Sequence, residues 1–207
     1  MELSFDSDPN VLEVGIDEAG RGCLSGRVYV GAVILPREFP DEKYKEIKDS
    51  KKLSRKKRSE LREYIEKHAI SFNVAYADER EVDRDNILQA TLNTMHRAVE
   101  GLQIEPHQIL VDGNQWKVYT NNEGDVIPHQ IIKSGDNKYY SIAAASILAK
   151  VYHDEYVVAL CREDPDLEKY GWLDNMCYGT KKHLDAIKEH GITKHHRKTF
   201  GICKQFA

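Results

Sequence analysis

The sequence lacks the features that mark membrane, secreted and disulfide-bonded proteins. No apolar run approaches the roughly 18 to 20 residues that a membrane-spanning helix needs, and the opening segment, 1–10, is acidic and polar rather than signal-like. The four cysteines are scattered and form no Cys-x-x-Cys pair, so neither a zinc ribbon nor a disulfide framework is supported. We therefore expect a cytoplasmic protein with free thiols.

Several catalytic signatures are absent as well. The glycines near Gly20 lack the P-loop pattern and its lysine, which argues against an ATPase. The histidines near the C-terminus have no companion cysteines and lie among lysines, which disfavours a zinc site. Ser141 and Ser146 lack the glycines of a nucleophile elbow, so serine hydrolysis is disfavoured too.

Net charge is small, but the charges are unevenly distributed. The chain has 207 residues, which suits one domain, and a formal net charge of -4. Residues 177–207 nevertheless carry seven Lys or Arg against two acidic residues, and six cations fall within residues 51–58. Because contacts to the phosphate backbone supply most of the affinity for nucleic acids, these two basic segments favour a nucleic-acid partner.

The apolar periodicity predicts an α/β order of elements. Strands are predicted at 12–17, 27–35, 70–77, 108–111 and 126–133. Helices are predicted from the Ser54 cap to residue 68, and at 87–102 after an Asn86 cap, 141–161 and 180–190. The short connection between the first two strands predicts an antiparallel pair, and the helical connections predict parallel additions, so we expect a mixed sheet.

Acidic residues stand at the ends of three predicted strands or just beyond them. They are Asp17 with Glu18, then Asp112, then Asp136. Because sites in open α/β sheets collect at strand ends, we expect these four carboxylates to converge. Four carboxylates without His or Cys favour Mg²⁺ or Mn²⁺ over Zn²⁺. Two such ions about 3.5 to 4 Å apart can activate water and stabilise the leaving oxygen of a phosphodiester.

These acids lie in longer segments that resemble the type 2 ribonucleases H, the ribonuclease HII family. The segments are Asp17-Glu18-Ala19-Gly20-Arg21-Gly22, Asp49-Ser50-Lys51-Lys52-Leu53, Val111-Asp112-Gly113-Asn114, Gly135-Asp136, 141–151, Tyr178-Gly179-Thr180-Lys181-Lys182-His183 and His196-Arg197-Lys198-Thr199-Phe200. They span residues 15–200 in order, so the resemblance covers nearly the whole chain.

The resemblance implies a ribonuclease H-like α/β fold, with a mixed sheet flanked by helices. It implies a single catalytic domain, 1–207, in which residues from about 165 to 207 form a C-terminal helical portion that helps to hold duplex. The implied enzyme is an endoribonuclease that cuts on the 5′ side of ribonucleotides, both in RNA/DNA hybrids and at single ribonucleotides within duplex DNA. Its products would carry 3′-hydroxyl and 5′-phosphate ends.

The resemblance also assigns roles to individual residues. The catalytic and metal-binding carboxylates would be Asp17, Glu18, Asp112 and Asp136, with Mg²⁺ or Mn²⁺ as the cofactor. The substrate-binding residues would be Gly20, Arg21, Gly22, Lys51 and Tyr178. The segment Gly20-Arg21-Gly22 would bind the nucleic-acid backbone beside the ribonucleotide and contact its 2′-hydroxyl. A bulky side chain in place of either glycine would block this close approach. Tyr178 would stack on the sugar next to the cut.

Two alternatives stay open, and the chain departs from the family pattern at some positions. One alternative is a type 3 ribonuclease H, against which the Gly20-Arg21-Gly22 motif speaks; the other is a non-catalytic nucleic-acid-binding protein on the same scaffold. Cys23 and Arg27 stand where the family commonly has prolines, and residues 114–127 look like an inserted hairpin without an assigned role. We expect a monomer with no obligate protein partner.

Overall fold

A five-stranded mixed sheet forms the centre of the computed structural model, which describes all 207 residues. The strands are β1 (Glu13–Ala19), β2 (Val28–Ile34), β3 (Ser71–Ala77), β4 (Gln108–Asp112) and β5 (His129–Ile132). The helices are α1 (Arg55–His68), α2 (Glu79–Glu100), α3 (Tyr140–Glu163), α4 (Trp172–Asn175) and α5 (Lys181–His190). Short 3₁₀ helices occupy Glu42–Glu46, Ser50–Lys52, Gly135–Asn137, Pro165–Tyr170 and Gly201–Gln205. No helix combines the length and the apolar composition that crossing a membrane requires.

The strand order is β3-β2-β1-β4-β5. Strand β1 pairs antiparallel with β2 and parallel with β4, and β4 pairs parallel with β5. The predicted mixed sheet, with an antiparallel front and parallel additions, is confirmed. The predicted strand at 126–133 is shorter in the structure.

The two faces of β1 pack against different helices. Val14 and Ile16 point towards α2 and join a buried apolar cluster there. Gly15 faces α3, where a β-carbon on Gly15 would lie 2.2 Å from the Ser141 carbonyl carbon. The equivalent atom on Gly31 of β2 would lie 2.4 Å from the Ala145 carbonyl oxygen. Glycine at these positions lets α3 lie directly on the sheet, next to the end of β1.

Helix α2 begins earlier than predicted. Asp78 and Glu81 form a capping box at its start, and the helix is interrupted at Asn86, which has a φ of 65°. The Asn86 side chain accepts hydrogen bonds from the Leu88 and Gln89 N–H groups, at 3.0 and 3.1 Å. The predicted Asn86 cap therefore starts the second half of α2, and the prediction missed the turns that precede it.

The C-terminal elements pack around a buried aromatic pair, Tyr170 and Trp172. Cys23 and Leu24, from the loop that follows β1, belong to the same buried cluster. The last helix, predicted at 180–190, runs from Lys181 to His190, with Thr180 as its N-cap and Gly191 as its C-cap. The C-terminal portion is thus fastened to the loop that carries the glycine-flanked arginine.

Candidate active site

Three of the predicted carboxylates meet at one edge of the sheet. Asp17 lies near the end of β1, Asp112 ends the neighbouring parallel strand β4, and Asp136 follows β5 in a 3₁₀ turn. One oxygen from each lies within 4.8 Å of the others. The turn is tied to β4, because the Gly135 N–H donates to Asp112 Oδ1 at 2.7 Å. Carboxylates so close together provide the oxygen ligands that a hard divalent cation prefers.

The protein environment disfavours the negative charge on these acids. Burial, followed by repulsion from Glu18 and Asp112, raises the pKa of Asp17 well above its ordinary value. A hydrogen bond from Ser146 on α3 opposes this shift, and Ser50 Oγ lies 2.9 Å from Ser146 Oγ. Burial and the charge of Asp112 also raise the pKa of Asp136. Burial and mutual repulsion therefore both disfavour the ionised forms of these acids.

The cost of ionising these acids predicts a metal-dependent and pH-dependent stability. A carboxyl whose pKa is raised by folding stabilises the fold in its protonated form, so in chelator this stability is lost as pH rises above the ordinary value of about 4. The melting temperature of Asp17→Asn minus that of the unsubstituted protein should therefore grow with pH in EDTA. Mn²⁺ should raise the melting temperature of the unsubstituted protein more than that of the variant. Differential scanning fluorimetry across pH checks this, and a difference independent of both pH and Mn²⁺ would contradict it.

Glu18 lies beside the three acids but outside their group. Its carboxylate is 3.0 Å from Arg21 Nη1, and its charge contributes to the raised pKa of Asp17. Adjacent residues of a strand point to opposite faces, which explains why Glu18 does not point with Asp17 towards α3. Its predicted role as a metal ligand stays a prediction.

An open cavity of about 510 Å³ adjoins Asp112 and Asp136. No hydrophobic residue lines it, and the lining comprises Asp49, Lys51, Asp112, Gly113, Asn114, Lys133, Ser134, Asp136 and Asn137. Lys51 thus lies beside Asp112 and Asp136 in the fold, although it precedes Asp112 by 61 positions in the chain. Sequence reasoning missed Asp49, whose carboxylate accepts a hydrogen bond from the Lys51 N–H at 3.0 Å. The sequence signal that could have identified Asp49 is its position two residues before the basic segment 51–58.

The loop after β1 places Gly20, Arg21 and Gly22 next to Tyr178. Gly20 has a φ of +88°, and a β-carbon there would lie 2.7 Å from the His153 ring. Tyr178 pairs with Cys23 through an isolated β-bridge, and its ring lies over Gly22. Tyr178 is 38% exposed, so part of the residue remains accessible to a ligand.

A buried histidine fixes the backbone of Tyr178. His183 Nε2 accepts from Trp172 Nε1 at 3.1 Å, so its Nδ1 carries the proton and donates to the Tyr178 carbonyl at 3.1 Å. His196 Nε2 lies 3.2 Å from the same His183 nitrogen, and burial lowers the pKa of His196 to about 3. These two histidines are therefore neutral structural groups, and the hydrogen bond from His183 fixes the position of the Tyr178 main chain.

Many residues of the basic segments have partners within the chain. Arg58 pairs with Asp154 at 3.3 Å, and Lys57 pairs with Glu46. Outside these segments, Arg27 lies between the rings of Tyr76 and Tyr156, 3.9 and 4.4 Å from their centres. The surface available to a polyanion is therefore smaller than the number of cations indicates.

Comparison with known proteins places these features in one family. The family model for ribonuclease HII matches residues 14–203. The chain belongs to the ribonuclease HII family. A ribonuclease HII from Parabacteroides distasonis is 50% identical over 194 residues, which cover 94% of this chain and 92% of the relative. The chain is accordingly a ribonuclease H, a hydrolase that cleaves nucleic acid internally and binds divalent metal.

Solved ribonucleases of this group have a similar fold. The ribonuclease H2 from Pyrococcus horikoshii superposes with a TM-score of 0.73 at 22% identity, over 94% of this chain and 96% of that one. The Bst ribonuclease HIII in complex with Mn²⁺ gives a TM-score of 0.69 at 21% identity, over 94% of this chain and 68% of that one. The predicted ribonuclease H-like fold is confirmed.

Proposed function

We propose that this ribonuclease HII cuts on the 5′ side of ribonucleotides, in RNA/DNA hybrids and at single ribonucleotides within duplex DNA. The products would carry 3′-hydroxyl and 5′-phosphate ends. The observation that supports this best is the meeting of Asp17, Asp112 and Asp136 at one edge of the sheet. All three lie in segments that match the family pattern.

The donor set fits a divalent metal. All three converging groups are carboxylates, and burial together with mutual repulsion raises the pKa of Asp17 and Asp136. We propose that these acids hold a pair of Mg²⁺ or Mn²⁺ ions, with Glu18 completing the set. When bound, such ions activate water and stabilise the leaving oxygen of a phosphodiester. Ser146 and the Gly135 N–H orient two of the carboxylates towards this position.

The residues beside the acids can bind and select the substrate. Arg21 is 42% exposed and can neutralise a phosphate, while the glycines on either side of it leave room for the nucleic-acid backbone. Tyr178 lies against this loop and offers an aromatic face to the sugar next to the cut. Lys51 lines the cavity of the acids and can contact a neighbouring phosphate. Because the 2′-hydroxyl is what distinguishes RNA from DNA, a backbone that approaches the sugar closely can select a ribonucleotide.

The C-terminal portion, residues 165–207, supports the same surface. It carries Tyr178 and packs against Cys23 and Leu24 through a shared buried cluster. We propose that it helps to hold the duplex over the acids. All the residues assigned a role belong to one chain, so we propose that a monomer is sufficient for activity.

Three labelled duplexes test the proposed function. One carries a single ribonucleotide in DNA, one is a continuous RNA/DNA hybrid, and one is all DNA; each is incubated with EDTA, Mg²⁺ or Mn²⁺. We expect metal-dependent cutting of the first two on the 5′ side of a ribonucleotide, with 3′-hydroxyl ends. Cutting of the continuous hybrid alone would favour the type 3 alternative. Binding without cutting in either metal would favour a non-catalytic protein.

A further inference from the structure

Arg197 is a buried cation that bonds only to backbone carbonyls. Its side chain is 0% exposed and no carboxylate lies within 4.0 Å of it. Its guanidinium donates hydrogen bonds to four carbonyl oxygens of the loop after β1, at Gly26 (2.9 Å), Arg21 (3.0 Å), Cys23 (2.9 Å) and Gly20 (2.8 Å). One side chain from the C-terminal portion thus gathers the carbonyl groups of residues 20–26.

This arrangement fixes where the N–H groups of the loop point. All peptide bonds of the chain are trans, and the C=O and N–H of a trans peptide point in opposite directions. Because the Gly20 and Arg21 carbonyls face the guanidinium, the Arg21 and Gly22 N–H groups face away from it. Both residues are exposed and neither N–H has an acceptor within the chain. The loop therefore presents two adjacent backbone donors to solvent, beside the ring of Tyr178.

Arg197 is itself held in place from a third element. The Asp83 carboxylate on α2 accepts hydrogen bonds from the Lys198 and Thr199 N–H groups, both at 2.9 Å. The Arg197 N–H donates to the Leu24 carbonyl at 2.9 Å. The guanidinium is thus a rigid fork fixed between α2 and the loop.

We propose that Arg197 is a positioning residue that aims the Arg21 and Gly22 N–H groups at an oxygen of the ribonucleotide-containing strand. This inference rests on the proposed function, which it deepens by naming what makes the loop a ribose-sensing surface. Arginine suits the role because its planar guanidinium has five N–H donors in a fixed geometry. A lysine ammonium at the same place could not satisfy all four carbonyls from their different directions.

Arg197→Lys tests the proposal through two independent measurements. Hydrogen exchange should accelerate at the Cys23, Leu24 and Gly26 amides, which are bonded within and around the loop, and not at the amides of β1. The kcat/KM for the single-ribonucleotide duplex should fall by about 10²-fold, because a small displacement of a positioning group has that order of effect. Affinity for the all-DNA duplex, which depends on phosphate contacts, should change by less than about threefold.

Two further variants separate positioning from general destabilisation. Arg97→Lys on α2 is the control, because it also replaces an arginine and loses hydrogen bonds to Glu81 and Thr94. We expect hydrogen exchange in the loop, and kcat/KM relative to the unsubstituted protein, to be unchanged in this variant. Asp83→Asn should reproduce the effects of Arg197→Lys more weakly, and it keeps the test available if Arg197→Lys fails to fold.

The outcomes distinguish failure of the inference from failure of the proposed function. Unchanged exchange in the loop, or faster exchange with an unchanged ratio of ribonucleotide cleavage to DNA binding, would overturn the role of Arg197. Absence of cleavage by the unsubstituted protein would overturn the proposed function and, with it, the substrate-facing part of this inference. Exchange would then still report whether Arg197 orders the loop.

Discussion

Asp112→Asn is expected to lower metal-dependent cleavage by at least about 10³-fold while leaving the protein folded. The change removes one negative charge from a site where three carboxylate oxygens lie within 4.8 Å of one another. Loss of about 4 kcal/mol of transition-state stabilisation corresponds to that factor. The fold should survive because an amide oxygen can still accept the hydrogen bond that the Gly135 N–H donates to Asp112.

Single-turnover cleavage of the single-ribonucleotide duplex in Mg²⁺ and Mn²⁺ measures this effect, and circular dichroism verifies folding. Asp17→Asn should behave in the same way. Asp125→Asn is the matched control, because it makes the same change at a carboxylate that lies exposed in the 121–125 turn. Normal turnover by folded Asp112→Asn, or an equal loss in the control, would remove the carboxylate cluster from the mechanism.

Gly20→Ala is expected to damage both stability and cleavage. The φ of +88° disfavours any residue with a β-carbon, at a cost of about 1–2 kcal/mol. The added atom would also lie 2.7 Å from the His153 ring and 2.8 Å from the Arg27 carbonyl oxygen. The ring cannot move aside, since His153 is fully buried and its Nδ1 lies 3.0 Å from Asp154. Crowding of this kind costs a further 1–3 kcal/mol or so.

The expected result is a fall in melting temperature of roughly 5–15 °C, with a loss of cleavage of about 10²-fold as the loop shifts. Gly124→Ala isolates the conformational cost, because Gly124 has a φ of +93° and open space around it. Thermal melting and cleavage assays on both variants decide the matter. Equal melting temperatures for the two would show that the contacts of Gly20 do not constrain the loop.

The sequence predicted the sheet well because its strands are short apolar runs. A short apolar run such as 108–111 is stable only when it is buried, which favours a strand inside a sheet. The short connection between β1 and β2 restricts these two strands to antiparallel pairing. The prediction failed where local signals overlap. Asp78 and Asn86 are both good helix caps, and the local sequence does not show that helical turns capped by Asp78 precede the interruption at Asn86.

The site could be predicted only in part, for a similar reason. Asp17, Asp112 and Asp136 stand near strand ends, where α/β folds collect their chemistry. Glu18 stands next to Asp17 in the chain, but the pleat of β1 points the two side chains to opposite faces, and Glu18 lies 3.0 Å from Arg21, so its role as a metal ligand stays a prediction. Nothing in the local sequence shows that Asp49 and Lys51 line the same cavity as Asp136.

The sequence by itself determined the kind of chemistry: carboxylates without histidine or cysteine partners, a glycine-flanked arginine, and family segments in order along the chain. Those properties depend on residue type and spacing, which the chain carries before it folds. Only the tertiary structure decided which acids share a cavity and that Arg197, 176 positions after Arg21, holds the loop. Such contacts join residues far apart in the chain, and they exist only once the sheet, α3 and the C-terminal portion have packed together.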